Sequence, residues 1–164
     1  MRTITLEEHF VTKDFISATD AYGAGTPPAL QAMKGKLLDV GEGRIAAMDE
    51  AGIDLQVLSL AAMGIDKLAP AQETAVMHAM HDEIAAAVKA HPDRFAAFAS
   101  PGLKQPAEAV KELQRCVTEL GFVGAMFDGT TDGKFLDAPE FFPVMEAAAE
   151  LGVPVYVHLS LIHI

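Results

Sequence analysis

The sequence predicts an α/β fold built on a parallel sheet, and three observations predict it. Short apolar runs alternate along the chain with amphipathic helical stretches. Those runs, at 2–7, 53–60, 95–100, 122–127 and 154–158, mostly lack polar alternation, as strands do when helices cover both faces of their sheet. The junctions repeat as well: Ala51-Gly52-Ile53, Leu120-Gly121-Phe122 and Leu151-Gly152-Val153 each place glycine where a helix needs a left-handed stop. Alternating strands and helices joined by such short links make a parallel sheet with crossover helices.

The helical stretches fall at 43–51, 71–90, 106–120 and 139–151. In the third, Val110, Leu113, Val117 and Leu120 recur at spacings of three and four and form one apolar stripe. Pro92 ends the second helix. Asp137 with Glu140 reads as a capping box that opens the fourth, with Pro139 in its first turn. Residues 10–42 break the rhythm, being too long for an ordinary strand-to-helix loop. They hold Gly23, Gly25, Pro27 and Pro28 and one short helix near 28–36, and they suit a pocket lid or a subunit contact.

Composition narrows the function classes. A net charge of -11 over 164 residues argues against a phosphate-binding surface, so no nucleic-acid partner is expected. No stretch approaches the roughly 18 to 20 apolar residues of a membrane span, and Met1-Arg2-Thr3-Ile4-Thr5 lacks the apolar stretch expected of a signal peptide. Cys116 is the single cysteine, which fits a reducing cytoplasm.

Two architectures accommodate five such units: an open doubly wound sheet, or the first five strands of a (β/α)8 barrel, which normally needs about 250 residues. No glycine-rich phosphate loop follows any strand. Strand alternation puts Thr3, Thr5, Glu7 and His9 on one face of the first strand and Ile4 and Leu6 on the other. Polar side chains toward a lumen and apolar ones toward helices favour the partial barrel. Glu7 and His9 then converge at the strand's end, and His158 closes the fifth strand, so these three are the candidate ligands of a divalent metal.

A series of segments carries a family resemblance. It runs through Leu6-Glu7-Glu8-His9-Phe10, Leu37-Leu38-Asp39, Met48-Asp49-Glu50-Ala51-Gly52-Ile53, Leu58-Ser59-Leu60, His91-Pro92-Asp93-Arg94-Phe95, Leu120-Gly121-Phe122-Val123-Gly124-Ala125 and Val153-Pro154-Val155-Tyr156-Val157-His158. In this order it resembles the amidohydrolase-related metal enzymes of the dihydroxybenzoate (γ-resorcylate) decarboxylase type, from residue 2 to residue 158. The resemblance implies one divalent ion, Zn or Mn, on Glu7, His9 and His158, with a further Asp from an eighth strand and an assisting His from a sixth. Neither of those two has a counterpart in these 164 residues. It implies non-oxidative decarboxylation of a small aromatic, hydroxybenzoate-like acid by a homo-oligomeric parent. A metal-dependent hydrolase of the same superfamily and a non-catalytic open-sheet domain stand as alternatives.

Phe10, Asp128 and Tyr156 are the candidate substrate-binding residues, each with core packing or loop shaping as the competing role. Residues 1–158 are expected to be the N-terminal part of the barrel, inactive alone. Leu159-Ser160-Leu161-Ile162-His163-Ile164 resembles translated sequencing-adapter DNA and is expected to be a non-native tail in which His163 has no function. Glu8 should face away from the metal. His78 and His81, at i and i+3 with no third ligand evident, are expected to be solvated or at the edge of the core, and Cys116 to be buried packing.

Overall fold

The structure, a computed structural model, describes residues 1–23, 25–61, 65 and 68–158. The expected adapter-derived tail, His163 included, lies outside the described residues. Five strands, β1 (Ile4–Phe10), β2 (Leu55–Leu60), β3 (Phe95–Ala99), β4 (Gly124–Asp128) and β7 (Val155–His158), form one parallel sheet in the order β1-β2-β3-β4-β7. β5 (Thr130–Thr131) and β6 (Lys134–Phe135) make a separate small hairpin after β4. Strands that neighbour in sequence also neighbour in space, so the sheet has no switch point, and the doubly wound alternative is removed.

The sheet curls. Four strand spacings of about 4.8 Å would hold β1 and β7 about 19 Å apart in a flat sheet. The ring centroids of His9 on β1 and His158 on β7 are 5.0 Å apart. Only a sheet rolled toward a barrel brings its two edges that close.

Helices α3 (Glu42–Ala51), α4 (Pro70–Ala90), α5 (Pro106–Thr118) and α6 (Phe142–Leu151) are the crossovers. Gly52 and Gly152 close α3 and α6 at φ 69° and 68°, a region where a Cβ is unfavourable, as their place before a strand predicts. The main core lies between sheet and helices and includes Leu58, Phe95, Met77, Met80, Leu113 and Val144, all at most 1 % exposed. Val57, Phe98 and Met126 form a second, small cluster on the concave side, with Leu55, Ala96 and Tyr156 against it. Among the described residues no helix is long and apolar enough to cross a membrane.

Three local expectations are corrected. The long first connection carries two helices, α1 (Lys13–Thr19) and α2 (Pro28–Leu38). The first is capped by Thr12, whose hydroxyl accepts the Phe15 N–H at 3.2 Å. Asp137 does not cap the last helix; a 3-10 turn, Pro139–Phe141, begins after Ala138 and runs into α6. On α5 the buried face is Ala109, Glu112, Leu113 and Cys116, while Val110, Val117 and Leu120 pack at its margin. The apolar stripe therefore located the helix but hid a buried carboxylate.

Candidate metal centre

β1 pairs with β2 in two registers. Ile4 and Thr5 oppose Leu55 and Gln56; Glu8, His9 and Phe10 oppose Leu58, Ser59 and Leu60. Leu6 and Glu7 thus span the single step taken by Val57, a β-bulge, and Glu7 adopts φ 60°. A non-glycine residue held there costs about 1 to 3 kcal/mol, and bulges of this kind re-aim a side chain. The expected continuous face Thr3-Thr5-Glu7-His9 is broken as a result. His9 shares the concave side with Ser59 and Ile4 shares it with Leu55, whereas Thr5 lies on the side of Gln56. The bulge puts Thr5 out of phase with His9, while Glu7, two positions before His9, still has a donor atom close to it.

The curl of the sheet gathers the candidate ligands. One donor atom from each of Glu7, His9 and His158 lies within 4.8 Å of the others. His9 Nδ1 is 3.0 Å from Ser59 Oγ. Donation of the Nδ1 hydrogen to that hydroxyl leaves Nε2 with a free lone pair. Burial, and then His158, push the His9 pKa down against the opposing pull of Glu7 and Glu8, so the ring is neutral at neutral pH. Tyr156 donates its hydroxyl to Glu7 Oε1 at 2.7 Å and stacks on Phe98 with centroids 5.9 Å apart. His158 Nδ1 is buried and finds no hydrogen-bond partner among the described residues; Asp128 Oδ1 stands 3.8 Å away. Two imidazoles and one carboxylate, with a buried His158 Nδ1 that lacks a hydrogen-bond partner among the described residues, are a donor set that fits a divalent cation.

The other sequence candidates fall in different places. Asp128 ends β4 in register with His158 and lines a small cavity with Ser100, Met126 and Thr131. Tyr156 is at the centre, bound to a candidate ligand. Phe10 is 1 % exposed in the helix-side core, so it packs away from the concave face. Ser59 was missed, although a lone hydroxyl inside Leu58-Ser59-Leu60 was the available signal.

His81 is not solvated: it is fully buried, its Nε2 accepts the Ser100 N–H at 2.9 Å, and its Nδ1 donates to Glu112 Oε1 at 2.7 Å. An Nε2 that accepts a main-chain hydrogen belongs to a neutral ring, in keeping with the downward push of burial on its pKa. Glu112 also takes two hydrogen bonds from Arg115, at 2.7 and 2.8 Å, and His78 Nε2 lies 3.1 Å from its Oε2. Burial raises the carboxyl pKa, but Arg115 and His81 outweigh it and hold it at about 2. His81, Glu112 and Cys116 also bring donor atoms within 4.8 Å of one another. The guanidinium already fixed on Glu112 fills the place of a cation there, so this cluster joins α4 to α5 and to the end of β3.

Residues 33–164 match the family model described as Amidohydrolase. The chain is 35% identical over 164 residues to a γ-resorcylate decarboxylase of Polaromonas sp. (strain JS666), covering 94% of this chain and 49% of that protein. A second, from Rhodococcus jostii (strain RHA1), is 36% identical over 166 residues, covering 94% and 50%. The chain spans about half the length of these curated relatives. Among solved structures, a dihydroxybenzoic acid decarboxylase from Polaromonas sp. JS666, with bound manganese and the inhibitor 2-nitroresorcinol, superposes with a TM-score of 0.84 at 32% identity, covering 98% of this chain and 50% of that one. A 5-carboxyvanillate decarboxylase from Novosphingobium aromaticivorans, also with manganese, gives 0.85 at 28% identity, covering 96% and 50%.

Proposed function

Because the chain belongs to the amidohydrolase family, we propose that it is the metal-bearing half of a decarboxylase that removes CO2 from a small hydroxylated aromatic acid. The observation that carries this is the meeting of Glu7, His9 and His158 from opposite edges of the sheet. These three residues would hold one divalent ion. Manganese is favoured by the relatives' structures, and zinc is compatible with the same donors. An ion held there would supply Lewis acidity toward the oxygens of such an acid.

The chain's own residues supply position. The bulge and Tyr156 aim the Glu7 carboxylate, and Ser59 sets the His9 tautomer. Asp128 stands at the rim next to His158, where it can meet a polar group of the acid. The stacked Phe98 and Tyr156 offer an aromatic wall on the concave side.

The reading is tested by joining the chain to its downstream strands, loading the product with Mn2+ and following CO2 release from 2,6-dihydroxybenzoate. Release that is lost in His158→Ala supports it. A fully loaded protein that hydrolyses esters or amides and leaves dihydroxybenzoates intact would contradict it.

A further inference from the structure

Beyond the bulge the end of β1 needs something to hold it, and one side chain is placed to do so. Arg44, near the start of α3, uses all five of its N–H groups. Nε donates to Asp39 O at 2.6 Å; Nη2 donates to His9 O at 2.8 Å and Lys36 O at 3.2 Å; Nη1 reaches Gln56 Oε1 at 3.4 Å and Glu8 O at 3.5 Å. Four of these acceptors are main-chain carbonyls, and no carboxylate is among them. The guanidinium is therefore used as a five-pointed bracket between the β1 terminus, the end of α2 with the loop after it, and strand β2. A lysine, with three donors around one nitrogen, cannot reproduce that planar fork.

We infer that Arg44 is a positioning residue for the candidate metal centre, fixing the main chain of Glu8 and His9 just after the bulge and so setting how tightly the site holds a divalent ion. The inference rests on the metal reading given above. It acts through geometry: His9 ligates by a ring whose Cα is tied two bonds away from a clamped carbonyl, and Glu7 precedes that clamp directly. A strand end free to shift its register would spread the donors before any cation was bound, and preorganised donors are what metal affinity depends on.

The test uses the full 164-residue chain, titrated with Mn2+ and followed by the electron paramagnetic resonance signal of the free ion. Arg44→Lys should weaken binding about 10-fold or more while keeping the far-ultraviolet circular dichroism spectrum and a cooperative melt. Arg44→Ala should weaken it further, and a loss of affinity out of proportion to any loss of melting temperature is what a merely structural role would not show. Arg44→Lys binding within about twofold of the unchanged chain would overturn the inference alone. Unfolding of both variants would overturn it too, because Arg44 would then support the fold and not the site. If the unchanged chain bound no Mn2+ even when joined to its downstream strands, the metal reading would fall and this inference with it.

Discussion

His9 and Ser59 face each other in register across β1 and β2, with the imidazole Nδ1 3.0 Å from the serine hydroxyl. That contact selects which ring nitrogen is left for a metal. Ser59→Ala is expected to weaken Mn2+ binding about 10- to 100-fold, the usual effect of losing a partner behind a ligating histidine. Isothermal titration calorimetry measures it directly. Ser59→Thr, which keeps the hydroxyl, should restore most of the affinity, and equal affinities in all three proteins would remove this role.

Tyr156 and Glu7 report on each other. The carboxylate accepts the phenol's hydrogen, which stabilises the protonated phenol and raises the Tyr156 pKa above its ordinary value of 10.0. The chain has two tyrosines, and Tyr22 is also shifted upward, through burial. Glu7→Ala should therefore lower one phenolate transition in an ultraviolet pH titration and leave the other in place. Tyr156→Phe should leave a single transition and loosen Mn2+ binding.

The His81–Glu112–Arg115 cluster should govern stability without touching the metal centre. Arg115 keeps Asp82 at 2.6 Å, but the fully buried His81 Nδ1–H would lose its acceptor, so Glu112→Ala is expected to destabilise the chain by about 1 to 3 kcal/mol in urea unfolding. Mn2+ affinity in the folded fraction should be unchanged. A loss below about 1 kcal/mol, the scale of an exposed pair, would show that the cluster is wet.

Stability should decline as the pH falls, in two stages. His81 and His9 have folded pKa values below the ordinary 6.5, so below that pH the unfolded chain binds more protons and folding weakens. Glu112 has a folded pKa of about 2 against an ordinary 4.5, so its contribution is present above 4.5 and is lost as the pH falls toward 2. Melting temperatures between pH 8 and pH 3 check this. His81→Phe should flatten the first stage, and a wild-type curve flat from pH 7 to pH 5 would contradict the account.

Much of this was legible in the sequence. The five strands, the four crossover helices and the glycine stops follow from period and punctuation, which act locally. The joint presence of Glu7, His9 and His158 was also readable, because strand ends of a parallel sheet share one side. What escaped depends on non-local geometry. The bulge at Glu7 is set by the register of β1 against β2, and alternation assumes a regular strand. Glu112 reads as an ordinary charged residue of an amphipathic helix until Arg115 and His81 are seen to satisfy it. Arg44 reaches acceptors up to 36 positions away in sequence, and no spacing rule connects them.

The most direct measurement is anomalous diffraction from crystals of the Mn2+-loaded protein. One peak is expected at bonding distance from the Glu7 carboxylate, a His9 ring nitrogen and a His158 ring nitrogen, and it should vanish in His158→Ala. An ion bound elsewhere, or these three side chains pointing apart around solvent while metal is present in excess, would contradict the account.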